Sequence, residues 1–208
     1  MVSEKHQFLF VHIPKTAGNS IQNVLRDYSE DEIVATGGQD GVERFEVRSG
    51  DRGLKKHSTL AEYVAELGAE AVEAKFKFAC VRNTWDRMIS YFFSPHRQGE
   101  TWSARKFKHF VEKEVVPLRD YFTRPDVSGG QPFENVDFVI RFESLDQDFA
   151  EVCRRIGIAE VSLPVRNRSS RGGAEQYYTP SLIDWVGERF ADEIEFFGYQ
   201  PPVISKAR

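Results

Sequence analysis

Apolar positions along the chain follow two rhythms. Near-continuous apolar runs occur at Phe8-Leu9-Phe10-Val11-His12-Ile13, Phe76-Lys77-Phe78-Ala79-Cys80-Val81 and Phe138-Val139-Ile140-Arg141-Phe142. Such runs suit strands buried on both faces of a parallel sheet. Between and after them the apolar spacing changes to i, i+3, i+4, i+7, the stripe of an amphipathic helix. Ile21, Val24, Leu25 and Tyr28 make the first stripe, and Leu60, Tyr63, Val64 and Leu67 the second. Trp85, Met88, Ile89 and Phe92 make the third, and Leu145, Phe149, Val152 and Ile156 a fourth. The last helix is expected to start near Pro180 and to carry Leu182, Val186, Phe190 and Ile194. Thr59-Leu60-Ala61-Glu62 reads as a capping box for the second helix.

Strands alternating with helices predict an α/β fold, a P-loop-like three-layer domain with a central parallel sheet flanked by helices. Two stretches are less regular. Residues 29–56 are polar and Gly-rich, and are expected to hold short strands or a loop. Residues 93–133 show only one suggestive stripe, Phe107, Phe110 and Val111, and a Gly129-Gly130-Gln131-Pro132 turn. At 208 residues the chain is expected to form a single domain, 1–208, with 93–133 a candidate acceptor-side insertion.

Composition narrows the function classes. The net charge of −4 argues against a globally basic nucleic-acid binder, although a local basic pocket is compatible with it. The two cysteines, Cys80 and Cys153, fall in apolar patterns and offer neither metal spacing nor a disulfide framework. The apolar run Phe8–Ile13 is too short for a signal segment or a membrane span. The expectation is a reduced, cytoplasmic enzyme without a membrane span.

In open parallel sheets ligands bind beyond the carboxyl ends of the strands. The loop His12-Ile13-Pro14-Lys15-Thr16-Ala17-Gly18-Asn19-Ser20 lies at such an end, ahead of a helix N-terminus. Free N–H groups and the helix dipole make that a site for an anion. Ala17, Gly18, Asn19 and Ser20 are placed to supply N–H groups, Thr16 and Ser20 to add hydroxyls, and Lys15 to add a positive charge. Against G-x-x-x-x-G-K-[ST], aligned on Gly18 and Ser20, the first glycine is Ile13 and the lysine is Asn19. Nor does a later strand end in an aspartate suited to Mg²⁺. No metal is expected. A phosphate cradle lacking its metal partner suits sulfuryl better than phosphoryl transfer, because a sulfuryl group carries less charge. The alternative reading is that Lys15 and Thr16 decorate a turn and cap a helix.

His12-Ile13-Pro14-Lys15-Thr16-Ala17-Gly18 resembles the donor loop of sulfotransferases that use 3′-phosphoadenosine 5′-phosphosulfate (PAPS), of the carbohydrate 2-O-sulfotransferase-like group. Val81-Arg82-Asn83-Thr84-Trp85-Asp86-Arg87-Met88-Ile89-Ser90-Tyr91 is similar to that family's 3′-phosphate motif, which implies that Arg82 and Ser90 hold the 3′-phosphate. The residues themselves also allow Arg82 to pair with Asp86 or Glu143. The family has proline where Thr84 stands, and Thr84 is expected to cap the helix instead. Asn167–Gly173 resembles a segment that closes over the nucleotide, with Arg171 reaching the 3′-phosphate. The resemblance implies transfer of a sulfuryl group from PAPS to an acceptor hydroxyl, a carbohydrate among the candidates, with release of adenosine 3′,5′-bisphosphate (PAP). The chain shows no membrane anchor like that of the Golgi members, which weakens the link to a glycosaminoglycan acceptor. A nucleotide-dependent kinase of similar architecture, or a catalytically inactive PAP-binding module, are the competing readings. The sequence does not specify the oligomeric state.

Such chemistry needs charge at the leaving oxygen and a base for the acceptor proton. Lys15 is assigned the first role. His57 is assigned the second: it precedes a helix N-terminus, whose positive end disfavours the imidazolium, and the resemblance places a catalytic histidine in this segment. His12, at the strand end, is read as structural, and His6, His96 and His109 as weaker candidates. The cluster Arg97, Arg105, Lys106 and Lys108 is read as a solvated helix face.

Overall fold

A computed structural model describes residues 1–36, 44–48, 53–94, 97, 99–163 and 173–204. The central sheet has four strands: β1 (Val2–Ser3), β2 (Phe8–Val11), β5 (Phe76–Val81) and β6 (Phe138–Arg141), in the order β1-β2-β5-β6. The pairs β2–β5 and β5–β6 are parallel, and only β1 runs antiparallel. The polar stretch after the first helix folds as a separate antiparallel pair, β3 (Glu32–Thr36) and β4 (Arg44–Arg48).

Side chains alternate across a strand, so each apolar run feeds two cores. Phe8, Phe10, Phe78, Cys80 and Ile140 face one layer, where they meet α1 (Gly18–Leu25) and α7 (Leu145–Arg155). Leu9, Val11, Ala79 and Val81 face the other layer. There they meet α2 (Leu60–Leu67), α3 (Ala69–Glu73), α4 (Thr84–Phe92), α5 (Ala104–Glu114), α6 (Leu118–Phe122), α8 (Pro180–Arg189) and α9 (Ala191–Phe197). This is the three-layer α/β arrangement expected from the pattern. Each fully buried Phe of the sheet, such as Phe10, stabilises it by about 1.5–3 kcal/mol relative to exposure.

Several boundaries differ from expectation. The first strand stops at Val11, because its register with β5 ends at Val11↔Ala79 while Cys80 and Val81 pair with β6. His12 and Ile13 are therefore loop residues, though still buried. Tyr28 sits in a 3-10 turn after α1. The single C-terminal helix is two, because Phe190 leaves helical geometry (φ −120°, ψ 30°) between α8 and α9. Gly68, at φ 87°, separates α2 from a short helix α3 that the periodicity did not suggest. Residues 93–133 contribute Phe107, Phe110, Val111, Leu118, Phe122 and Phe133 to the same core as α2 and α4. Both cysteines are buried thiols, and burial pushes both upward in pKa. No helix among the described residues is long and apolar enough to cross a membrane.

Candidate active site

The loop after β2 is shaped by its backbone. Lys15 (φ 68°) and Ala17 (φ 66°) are both left-handed, on either side of Thr16. For a residue other than glycine that conformation costs roughly 1–2 kcal/mol. The turn delivers the chain directly into α1, with Ala17 as a cap residue whose side chain makes no cap bond. The N–H groups of Gly18 and Asn19 have no carbonyl one turn behind them, as at any helix start. The N–H of Ser20 donates to the Ala17 carbonyl at 2.9 Å, and its side chain is buried. Thr16 is fully buried and its hydroxyl donates to the Ile13 carbonyl at 2.9 Å. The hydroxyl expected to line the cradle therefore braces the loop from inside. Lys15 reaches the other way, its Nζ donating to Ser94 Oγ at 3.2 Å, just past the end of α4.

Arg82 follows the end of β5, which places its guanidinium against the same loop. Its Nη1 donates to the Lys15 carbonyl at 3.3 Å and to Ser90 Oγ at 3.4 Å. Its Nε donates to Asp86 at 2.6 Å, and its plane lies 3.9 Å over the ring centre of Phe142, past the end of β6. The two uses foreseen for Arg82 thus coexist: it pairs with Asp86 and also meets Ser90. Glu143 instead accepts the Asn83 N–H at 2.7 Å. The cap of α4 is Asn83, not Thr84. Thr84 is already the first helical residue, and its hydroxyl donates at 2.9 Å to the buried Glu193. That carboxyl also accepts the Leu118 N–H and lies 3.9 Å from buried Arg87. Burial pushes Glu193 upward in pKa against the pull of Arg87.

His57 comes from the turn before α2. That turn is closed by Ser58, whose N–H donates to the Lys55 carbonyl and whose hydroxyl accepts the Lys55 N–H at 2.8 Å. The expected capping box is present, with Thr59 accepting from the Glu62 N–H and Glu62 from the Thr59 N–H. His57 Nδ1 lies 2.9 Å from the His12 carbonyl. A carbonyl only accepts, so Nδ1 carries a proton, and in the neutral ring Nε2 holds the lone pair. The His57 ring meets the ring of His12 edge-on at 4.6 Å. His12 is held well below the usual histidine range, first by burial and then by His57 and Lys56.

Three strand ends thus meet at one loop. The His12 carbonyl holds His57, the Lys15 carbonyl holds Arg82, and Arg82 lies over Phe142. Arg82 touches both Ser90 and the Lys15 carbonyl, while the Lys15 ammonium reaches Ser94. Arg171 and the rest of 167–172 lie outside the described residues, as does His96. His6 is not part of the site: it hydrogen-bonds the Ile156 carbonyl at the other end of β2. Lys106 is exposed and pairs with Glu100, as expected for a solvated face, whereas Arg97 departs from that expectation: its side chain is only 17% exposed, pairs with Glu114 and lies over Phe110. Ser94, Phe142 and Gln22 carried no signal in the sequence, since nothing in their local spacing ties them to the loop. Among the described residues no cluster of His, Cys, Asp and Glu is arranged to hold a metal ion.

No curated protein matches the chain. The model of the sulfotransferase family matches residues 1–200, and the chain belongs to that family.

Proposed function

We propose that this protein moves a sulfuryl group from PAPS to an acceptor hydroxyl and releases PAP. The observation that carries the reading is the convergence of a cationic side chain, a phosphate-type guanidinium and a histidine of defined tautomer on the loop 12–17. In this reading the N–H groups of Ala17, Gly18 and Asn19, with the backbone of Thr16, hold the 5′ end of the donor; the Ser20 N–H, expected to join them, is already spent on the Ala17 carbonyl. Arg82 and Ser90 hold the 3′-phosphate through Arg82 Nη1 and the Ser90 hydroxyl, while Asp86 holds the Nε edge of the guanidinium in place. Arg171 adds to that contact.

The reaction balances simply. The acceptor oxygen forms a bond to sulfur as the bond from sulfur to the 5′-phosphate oxygen breaks. Lys15 meets the negative charge that grows on that oxygen. His57 Nε2 takes the acceptor proton. The acceptor is a hydroxyl compound, and the likeness of the donor loop to carbohydrate sulfotransferases puts carbohydrates first for testing.

Labelled PAPS with a panel of hydroxyl acceptors tests the reading, together with thermal shifts by PAP and by ATP with Mg²⁺. PAP is expected to stabilise the protein, and His57→Ala to lose transfer while keeping PAP binding. Stabilisation by ATP with Mg²⁺ but not by PAP would favour a kinase and sink the proposal.

A further inference from the structure

One buried polar group beside the site has no role in the chemistry above. The imidazole of His12 is only 3% exposed and stacks on Phe10, with ring centres 5.8 Å apart. Its other neighbours belong to the site. A Cβ on Gly18 would fall 1.8 Å from His12 Nε2 and 1.9 Å from its Cδ2, so the ring occupies the space that the first residue of α1 leaves open. The His57 ring lies edge-on at 4.6 Å. Gln22, one turn along α1 and fully buried, lies beside the imidazole. Gln22 pulls the imidazole back toward its charged form, yet neither its amide nor His12 Nδ1 completes a hydrogen bond of good geometry within the described residues. Leaving such groups unsatisfied costs about 1–3 kcal/mol each, and apolar residues would fill the space without that cost.

We propose that His12 is a positioning residue: its ring is a wedge between Gly18 and His57 that holds the start of α1 and the proposed base at a set separation. The ring is well suited to this. It is rigid, and it stays uncharged because it is buried beside His57 and Lys56. The main-chain carbonyl of His12, which stays in place whatever the side chain, pins His57 Nδ1, and the ring sets how the His57 imidazole stands against that carbonyl. A base displaced by an ångström loses much of its rate, a penalty of about 100-fold. The inference rests on the proposed role of His57 as base.

The test uses His12→Asn, with His57→Ala as control. In His12→Asn, kcat is expected to fall at least ~10-fold while PAP affinity stays within ~3-fold, a split that a merely loosened fold does not produce. Nitrogen-15 spectra of the histidines are expected to show His57 protonated at Nδ1 in the wild type and, as the His57 ring drifts without its wedge from the carbonyl that remains at position 12, a rising share of Nε2–H in His12→Asn. Unchanged kcat and tautomer in a folded His12→Asn protein would overturn the proposal. If His57→Ala itself retains full transfer, the base assignment falls. The wedge then stands or falls on the tautomer and on a steric cycle that needs no activity. In that cycle the drop in melting temperature caused by Gly18→Ala shrinks by more than half in a His12→Ala background. An undiminished drop removes the wedge.

Discussion

At the scale of single residues, Arg82 does the work of three contacts with one planar group. Its Nε and Nη atoms serve Asp86, Ser90 and the Lys15 carbonyl at once, and its face rests on Phe142. A lysine keeps the charge but has no fork and no face to stack. Arg82→Lys is therefore expected to weaken PAP binding by roughly 10- to 100-fold, the size of one or two charge-assisted hydrogen bonds. Titration calorimetry reads this directly, and unchanged affinity would remove Arg82 from the donor site. The motif made Arg82 and Ser90 legible as a pair, since a guanidinium at a strand end and a serine two helical turns on share one edge. The inward turn of Thr16 was not legible, because only the left-handed backbone at Lys15 and Ala17 decides which way that hydroxyl points.

At the scale of elements, the helix starts govern the site. Thr59 closes a capping box on α2, two residues after His57. Thr59→Ala is expected to cost about 1 kcal/mol, a fall of about 2–4 °C in melting temperature for a chain of this length. A thermal melt checks it, and no change would mean that α2 is held by packing alone. This start was readable from Thr59-Leu60-Ala61-Glu62, because a capping box is a local bond pattern. The start of α4 was not. Thr84 has the chemistry of a cap, but Asn83 takes that place, and the Thr84 hydroxyl is claimed by Glu193, which lies 109 residues away. A local rule lost there to a distant buried acceptor. The division of the last helix at Phe190 has the same character, since Leu182, Val186 and Phe190 keep one apolar stripe through the break.

At the scale of the whole molecule, the buried His12 ties the site to stability. Its folded pKa is depressed, whereas in the unfolded chain it titrates near 6.5. Below that pH the unfolded chain takes up a proton that the folded ring refuses. Folded stability thus falls as pH drops from about 6.5, at up to about 1.4 kcal/mol per pH unit, and is fully present above that range. Denaturant melts between pH 7 and pH 5 are expected to show this loss in the wild type and a shallower one in His12→Asn. The groups near the ring, His57, Lys56 and the amino group of Met1, are common to both proteins. Equal slopes would mean that His12 titrates normally in the fold.

The apolar runs by themselves determined the three-layer α/β fold, because strands buried on both faces need helices above and below them. The motif residues pointed to the strand ends where the candidate site lies, because a helix start after a buried strand favours an anion. Only the tertiary structure decided how the loop 12–17 is used. It turned Thr16 inward, set Lys15 on Ser94, and hung His57 and Arg82 from two carbonyls of the same loop. It also placed the His12 ring in the space left by Gly18. The contacts of Lys15 with Ser94, His57 with His12 and Arg82 with Lys15 join residues 45 to 79 positions apart, and no local spacing encodes them. They exist because β2, β5 and β6 end side by side.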